Sequence, residues 1–312
     1  MEFQEIDNVG ALKRSGFYRL RFGGPEISVR FKRGTADGLI VVFHGAVNRQ
    51  TRTIPCFQPF LPNVGGFHQL TISDATLELS DSLRAGWYAG GRCLRLQDGL
   101  VETIAKVSDR LGSKRRIYVG GSAGGFAALY CSYFDSDSVC VAANPQVDLK
   151  AYLPSAVAAW LDAAWPGAES VSDIEGQVCL RLGELYAGGF KNLVVYLQSC
   201  GDDRHFSGQL PGFFNSAIGT PDRFILQCGY YGIPGHSNSV PSSVYYPWVQ
   251  AAVLAPSSEK QALLDAYHQI VSAASVGPSS VGSTSPEKTR AFSAQDLLKA
   301  DLLRDLQLAH DS

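Results

Sequence analysis

The residues best placed to do chemistry gather around one serine. Arg115 to Tyr130 reads RRIYVGGSAGGFAALY: a β-branched and aromatic run breaks on glycines and continues in small, helix-forming residues. Gly120-Gly121-Ser122-Ala123-Gly124 fits G-x-S-x-G and lies where a strand should turn sharply into a helix. So tight a turn strains the serine backbone, and bulk two residues to either side would hold strand and helix apart. With 32 glycines in the chain the bare pattern arises by chance, so its strand–turn–helix setting gives it meaning. The competing reading is a glycine-rich turn that cradles a phosphate at a helix N-terminus.

A serine hydroxyl attacks a carbonyl near neutrality only with a base in hydrogen-bond reach and a third group orienting that base. Of the six histidines, His44 sits in a His-Gly turn, His68 in a strand, His268 on a late helix and His310 near the end. His236 lies in GYYGIPGHS, a glycine-rich loop after the last expected strand, and can be aimed back at Ser122. It is the expected base, with His205 as the other candidate or as a substrate contact. The orienting acid should follow the preceding strand, NLVVYL, where QSCGDDRH supplies Asp202 and Asp203. Asp202 comes sooner after the strand and is preferred; the spare carboxylate caps the next turn or pairs with Arg204. Ser122, then Asp202 or Asp203, then His236 is a known order for such a triad.

Charge on a reacting carbonyl oxygen needs preorganised donors. The backbone N–H of Ala123 is one, and Gly45 or Ala46, after the apolar strand LIVVF, should give the second. Arg49 and Arg52 follow that loop and suit a carboxylate or phosphate on the substrate, or are plain solvated arginines. Trp87 and Tyr88 either floor a sugar site or belong to the core. Asn144, Pro145 and Gln146 follow a central strand and are expected to line the pocket. No His/Cys/carboxylate group has metal-ligand spacing, and there is no G-x-G-x-x-G or Walker loop, so neither metal nor cofactor is expected.

These residues need a frame. FYRLRFGGPEISVRFK (17–32) alternates around Gly23-Gly24-Pro25 as a hairpin. Apolar runs at 39–43, 67–72, 117–119, 138–143, 192–197 and 223–228 then alternate with helical spacing, such as Leu96, Leu100, Ile104 and Val107 within 94–111. The pattern predicts an α/β fold with a mostly parallel central sheet covered by helices on both faces. Residues 149–190, rich in Ala, Leu and Trp, interrupt the alternation as a helical cap insertion. Helices at 248–254 and 259–275 close the domain. The His44-Gly45 turn, Ser122 and Asn144-Pro145 all fall at carboxyl ends of strands, where such sheets bind ligands.

With these residues in place, residues 15–275 resemble the α/β-hydrolase superfamily. Within it, FHGAVNRQTRTIPCF, the segment ending GWY, GGSAGGFAALY, AANPQVDL and YLQSCGDDRH are similar to a bacterial hydrolase-fold group found among capsule and surface-polysaccharide biosynthesis genes. The resemblance implies a carbohydrate or acylated-carbohydrate substrate and either hydrolysis or O-acetyl transfer. The residues by themselves support a serine esterase working through an acyl-enzyme. The alternatives are an acyltransferase with the same triad and a catalytically silent, hydrolase-fold interaction protein.

Composition agrees with a large domain. The 312 residues are 45% hydrophobic and 18% charged, with net charge −2, which gives no electrostatic footprint for nucleic acid. The acidic start has no signal-peptide run, and no apolar stretch is long enough to span a bilayer. Seven scattered cysteines, never in C-x-x-C spacing, read as buried free thiols of a cytoplasmic protein. Residues 1–275 are expected as the hydrolase domain and 276–292 (Gly/Ser/Pro-rich) as a linker. Residues 293–312 are expected as an amphipathic helix with Leu298, Leu302 and Leu306 on one stripe. That helix would pack on its own domain, or dock a partner or a second copy.

Overall fold

A computed structural model describes residues 1–22 and 24–275; the expected linker and tail helix lie outside the described residues, as does Gly23. The strands are β1 (Phe3–Ile6), β2 (Gly16–Leu20), β3 (Ile27–Lys32), β4 (Gly38–Phe43), β5 (His68–Ile72), β6 (Arg115–Gly121), β7 (Val139–Ala143), β8 (Leu193–Ser199) and β9 (Phe224–Gly229). They form one nine-stranded sheet in the order β1-β2-β3-β5-β4-β6-β7-β8-β9. Among the described residues only β3 runs against the others, paired antiparallel with β2 and β5. The hairpin is present, while β1 was not expected. It is four residues long, mostly exposed and pairs in parallel with β2, so neither length nor periodicity marks it.

The central strands are buried on both faces, and their alternation sorts side chains into two cores. Leu39, Val41 and Phe43 of β4 join Tyr118, Cys140, Val194 and Tyr196 on one face. Ile40 and Val42 join Ile117, Val119, Val139, Val141, Leu193 and Val195 on the other. The first face is covered by α1 (Leu96–Leu111) and α2 (Ala123–Tyr133), with α3 (Pro154–Ala164), α4 (Leu182–Tyr186), α5 (Asp203–Gly208) and α6 (Leu210–Ala217) beyond them. The second face is covered by α7 (Ser242–Leu254) and α8 (Lys260–Ser275). Helix α1 buries the expected stripe of Leu96, Leu100, Ile104 and Val107, each side chain contributing about 1.5–3 kcal/mol. It stops at Gly112, whose φ of 63° few other residues accept. Helix α7 starts earlier than expected, because it runs through Pro247 instead of breaking there.

The 149–190 insertion is built into the first core. Trp160 of α3 packs edge-on against Trp87 with ring centroids 5.7 Å apart. Tyr186 of α4 donates its hydroxyl to the Leu129 carbonyl of α2 at 2.8 Å. No helix among the described residues is long and apolar enough to cross a membrane.

One contact sets how closely the helix layer approaches the sheet. A Cβ on Gly124 would stand 2.6 Å from the carbonyl oxygens of both Phe43 and His44, so α2 lies directly on the end of β4. Gly124→Ala should therefore cost about 1–3 kcal/mol in urea unfolding, as overpacking does elsewhere. Gly212, exposed in α6 with open space around it, is the control: Gly212→Ala should be neutral or stabilise by up to about 1 kcal/mol. Equal effects at the two positions would contradict this packing.

Candidate active site

Ser122 sits between β6 and α2 with φ 55° and ψ −123°, a conformation that costs a non-glycine residue about 1–3 kcal/mol. Crowding imposes it. A Cβ on Gly120 would lie 2.1 Å from the Gly124 carbonyl oxygen, and one on Gly125 2.7 Å from Cβ of Pro145. The turn is pinned by its backbone: Ser122 N–H donates to Ala143 at 3.0 Å, and its carbonyl accepts from Gly125 at 3.0 Å and Gln146 at 3.1 Å. The hydroxyl is thereby thrust away from the sheet.

Three expected side chains meet there. Nε2 of His236 lies 2.8 Å from Ser122 Oγ, and its Nδ1 lies 2.5 Å from Oδ2 of Asp202. Asp203, the other candidate acid, faces solvent at the start of α5. Asp202 is 2% exposed and accepts from a second histidine as well, Nδ1 of His205 at 3.0 Å from its Oδ1. Burial works to raise the Asp202 pKa, but the hydrogen bonds from both histidines outweigh it and hold the carboxylate well below the usual range. Burial pushes His205 towards the neutral form. Both Nδ1 atoms then donate to the carboxylate, which leaves Nε2 of His236 as an acceptor for the serine proton. The three side chains are of metal-ligating types, yet each imidazole nitrogen faces its carboxylate oxygen directly, at hydrogen-bond separation.

His205, the other candidate base or substrate contact, is placed behind His236 and bonded to Asp202, and makes no hydrogen bond to Ser122. It is 1% exposed and stacks on His236 with centroids 4.0 Å and planes 10° apart. Asn144, expected to line the pocket, is likewise committed inside. Its Oδ1 accepts from Ser199 N–H at 2.8 Å, and its Nδ2 donates to Ser239 Oγ at 2.7 Å. Ser239 in turn donates to the His236 carbonyl at 3.2 Å, so Asn144 braces the loop that carries His236.

Gln146 has a larger part than pocket lining. Trp87 Nε1 can only donate, and it donates to Oε1 of Gln146, which fixes the amide and turns its Nε2 to Ser122 Oγ at 2.8 Å. The serine oxygen thus accepts from Gln146 while its own proton points to His236. No local sequence pattern marks this contact, since the partners lie 24 and 59 residues away. Trp87 and Tyr88, at 0% and 1% exposure, offer no face to a sugar ring and belong to the wall behind the site.

The loop after β4 brings Gly45 beside Ser122, where an added Cβ would lie 3.5 Å from the serine Cβ. His44 shapes the loop. Its Nε2 accepts from Asp74 N–H at 3.1 Å, so the proton is on Nδ1, which donates to the Gly45 carbonyl at 2.7 Å. That carbonyl and the Ala46 N–H share one planar peptide and point opposite ways. The N–H groups of Ala46 and Ala123 make no hydrogen bond among the described residues. Arg49 donates to the carbonyls of Leu77 and Asp81 and to the Asp81 carboxylate. Arg52 is exposed near His44, where its charge disfavours the imidazolium.

Behind the loop lies a buried polar cluster. Tyr88 OH accepts from His44 N–H at 2.9 Å and donates to Ile72 at 3.0 Å. The Asp74 carboxylate takes the N–H groups of Tyr88 and Thr76, each at 3.0 Å. This holds Trp87 and Tyr88 at φ 53° and 57°, which bulky residues rarely adopt.

No protein-family profile and no curated protein matches the sequence, whereas solved structures do. The capsule O-acetyltransferase of Neisseria meningitidis serogroup A superposes with a TM-score of 0.54 at 15% identity, over 70% of this chain and 88% of that one. A histidine-to-alanine mutant of that enzyme in complex with CoA gives 0.56 at 16%, over 70% and 89%. Pyrococcus horikoshii acylaminoacyl peptidase gives 0.50 at 16%, over 75% of this chain and 40% of that one. At such identities the likeness speaks for the fold: the chain has the α/β-hydrolase fold.

The cluster behind the loop makes a pH prediction. Burial holds His44 down to about 4 from 6.5, so acidification across that window removes stability: the unfolded chain takes the proton first. Burial pushes Asp74 up to about 6 from 3.8, so acidification from 6 to 3.8 adds stability, the folded chain taking that proton first. The two nearly offset. In Asp74→Asn the histidine contribution is uncovered, and the urea-unfolding free energy should fall by up to about 3 kcal/mol more than in the wild type over the same acidification. Parallel pH profiles for the two proteins would refute the assignment.

Proposed function

We propose that the protein moves acyl groups through a covalent ester on Ser122. The observation that carries this reading is the unbroken chain from Ser122 Oγ to His236 Nε2 at 2.8 Å and from His236 Nδ1 to Asp202 at 2.5 Å, set on a strained elbow. As Ser122 attacks an ester carbonyl, its proton passes to His236, and Asp202 stabilises the imidazolium that forms. The N–H groups of Ala46 and Ala123 receive the oxyanion, each such donor being worth about 10²–10³ in rate. His236 then protonates the departing alcohol and leaves the acyl-enzyme. Gln146 supports the nucleophile, its amide stabilising negative charge on Oγ as the proton leaves. The substrate class we favour is an ester of a small molecule or a carbohydrate, with Arg52 available to an anionic part of it.

Whether water or another hydroxyl ends the cycle separates two readings. Esterase action is the simpler. The second is O-acyl transfer to a carbohydrate hydroxyl, favoured by the likeness to a capsule O-acetyltransferase, a mutant of which is seen in complex with CoA. Incubation with acetyl-CoA and oligosaccharide acceptors, read by mass spectrometry, divides them. Acetylated oligosaccharide supports transfer, while free acetate with or without acceptor supports hydrolysis.

The triad itself is tested without knowing the substrate. A fluorophosphonate probe should label Ser122 stoichiometrically, Ser122→Ala should abolish labelling, and His236→Ala should slow it by about 10³-fold or more. Gln146→Ala should slow it about tenfold, the loss of one hydrogen bond to a charged oxygen. Full reactivity in His236→Ala together with none in His205→Ala would overturn the assignment of the base, and no labelling of the wild type would favour a silent interaction protein.

A further inference from the structure

The expectation of buried thiols holds for Cys56, Cys131 and Cys140, but Cys93, Cys200 and Cys228 are exposed. Two of these meet. Sγ of Cys200 lies 3.4 Å from Sγ of Cys228, although 28 residues separate them in the chain. Their backbones are held in place by the sheet: Gln198 pairs with Cys228 and Ser199 with Gly229, and Cys200 N–H donates to the Gly229 carbonyl at 2.9 Å. We propose that Cys200 and Cys228 form a redox-active dithiol that a small disulfide, such as oxidised glutathione, converts to an intramolecular disulfide.

The placement makes the pair more than a chance contact. Cys200 directly follows β8 and precedes Asp202 by two residues, and Cys228 lies in β9 eight residues before His236. The loops that follow are tied together by one backbone bond, Gly235 N–H to the Gly201 carbonyl at 2.7 Å. A Cβ on Gly201 would stand 2.4 Å from the Ile233 carbonyl oxygen, so the loops touch there too. A bond between the two sulfurs would close the roots of the loops bearing the acid and the base. Cys200 lies two positions beyond Gln198, the residue opposite Cys228, so the two side chains fall on the same face of the strand pair and their sulfurs already touch.

The chemistry balances with one small disulfide. A thiolate on Cys200 attacks a glutathione sulfur, forms a mixed disulfide and expels one glutathione thiolate. Cys228 then loses its proton and attacks the Cys200 sulfur, expelling the second glutathione. Two protein thiols are oxidised by two electrons, one glutathione disulfide is reduced to two thiols, and the two protons end on them. Burial, with the Cys200 contact, pushes the Cys228 thiol up to about 11, which suits it to the second, intramolecular step and not to the first. Cys93, exposed and remote from this pair in the sequence, has no thiol partner among the described residues and should stop at the mixed disulfide.

The full chain, folded and at neutral pH, would be treated with oxidised glutathione, alkylated and mapped by peptide mass spectrometry. The expected result is a Cys200–Cys228 cross-linked peptide, about 2 Da below the two free peptides, reversed by reduced glutathione. Cys93→Ser should keep the cross-link, and Cys200→Ser and Cys228→Ser should lose it. The oxidised wild type should also unfold at a higher temperature than its reduced form, while oxidised Cys200→Ser gains nothing. Glutathione left as a stable mixed disulfide on either cysteine, or no reaction at this pair, would overturn the proposal. Because the readout is the bond itself, the result is independent of whether Ser122 proves to be a nucleophile.

Discussion

Everything at the site depends on how closely α2 can lie on the carboxyl end of the sheet. That approach is a steric matter, decided by hydrogens where side chains would otherwise be. With Gly120 facing the Gly124 carbonyl, and Gly124 facing the ends of β4, the chain has no way from strand to helix except through a left-handed residue. Ser122 occupies that position, and its hydroxyl is left on the outside of the bend. The same proximity brings the loop after β4 beside Ser122, so one packing constraint sets both the serine hydroxyl and the loop that carries the Ala46 N–H.

Around this rigid point the structure invests in polar groups removed from water. Asp202 is shared by two imidazoles, Asn144 joins the end of β8 to the loop of His236, and His44 fixes the peptide that presents the Ala46 N–H. Each would be costly if half-satisfied, and here the bonds are made. One exception is instructive. Nε2 of His205 is buried without a partner, and it lies in the ring stacked on His236. A neutral ring there can lie flat against an imidazolium, whereas a second cation could not.

How much of this was legible in the sequence follows from the range of each interaction. That Ser122, Asp202 and His236 meet is written along the chain, because each residue follows its own strand, and parallel strands put their ends on one side. The alternation of Leu39 to Phe43 between two cores follows from period two alone. By contrast, the bond from Gln146 to Ser122, the bracing by Asn144 and the burial of Trp87 arise from packing between distant segments, and composition cannot report them. The expected start at Trp248 is six residues late, because α7 begins at Ser242 and carries Pro247 within it, where proline usually ends a helix. The paired thiols were hidden because β8 and β9, not a short motif, bring them together.

The link from Trp87 through Gln146 to Ser122 also makes the protein its own optical probe. An indole N–H bonded to an amide whose other end rests on Ser122 Oγ is sensitive to the state of that oxygen: an ester oxygen accepts more weakly than a hydroxyl. Any acylation of Ser122 would loosen the amide and change the polarity felt by the indole. The emission of Trp87, read against Trp160, Trp165 and Trp248, would then follow modification of Ser122 in real time, without a chromogenic substrate.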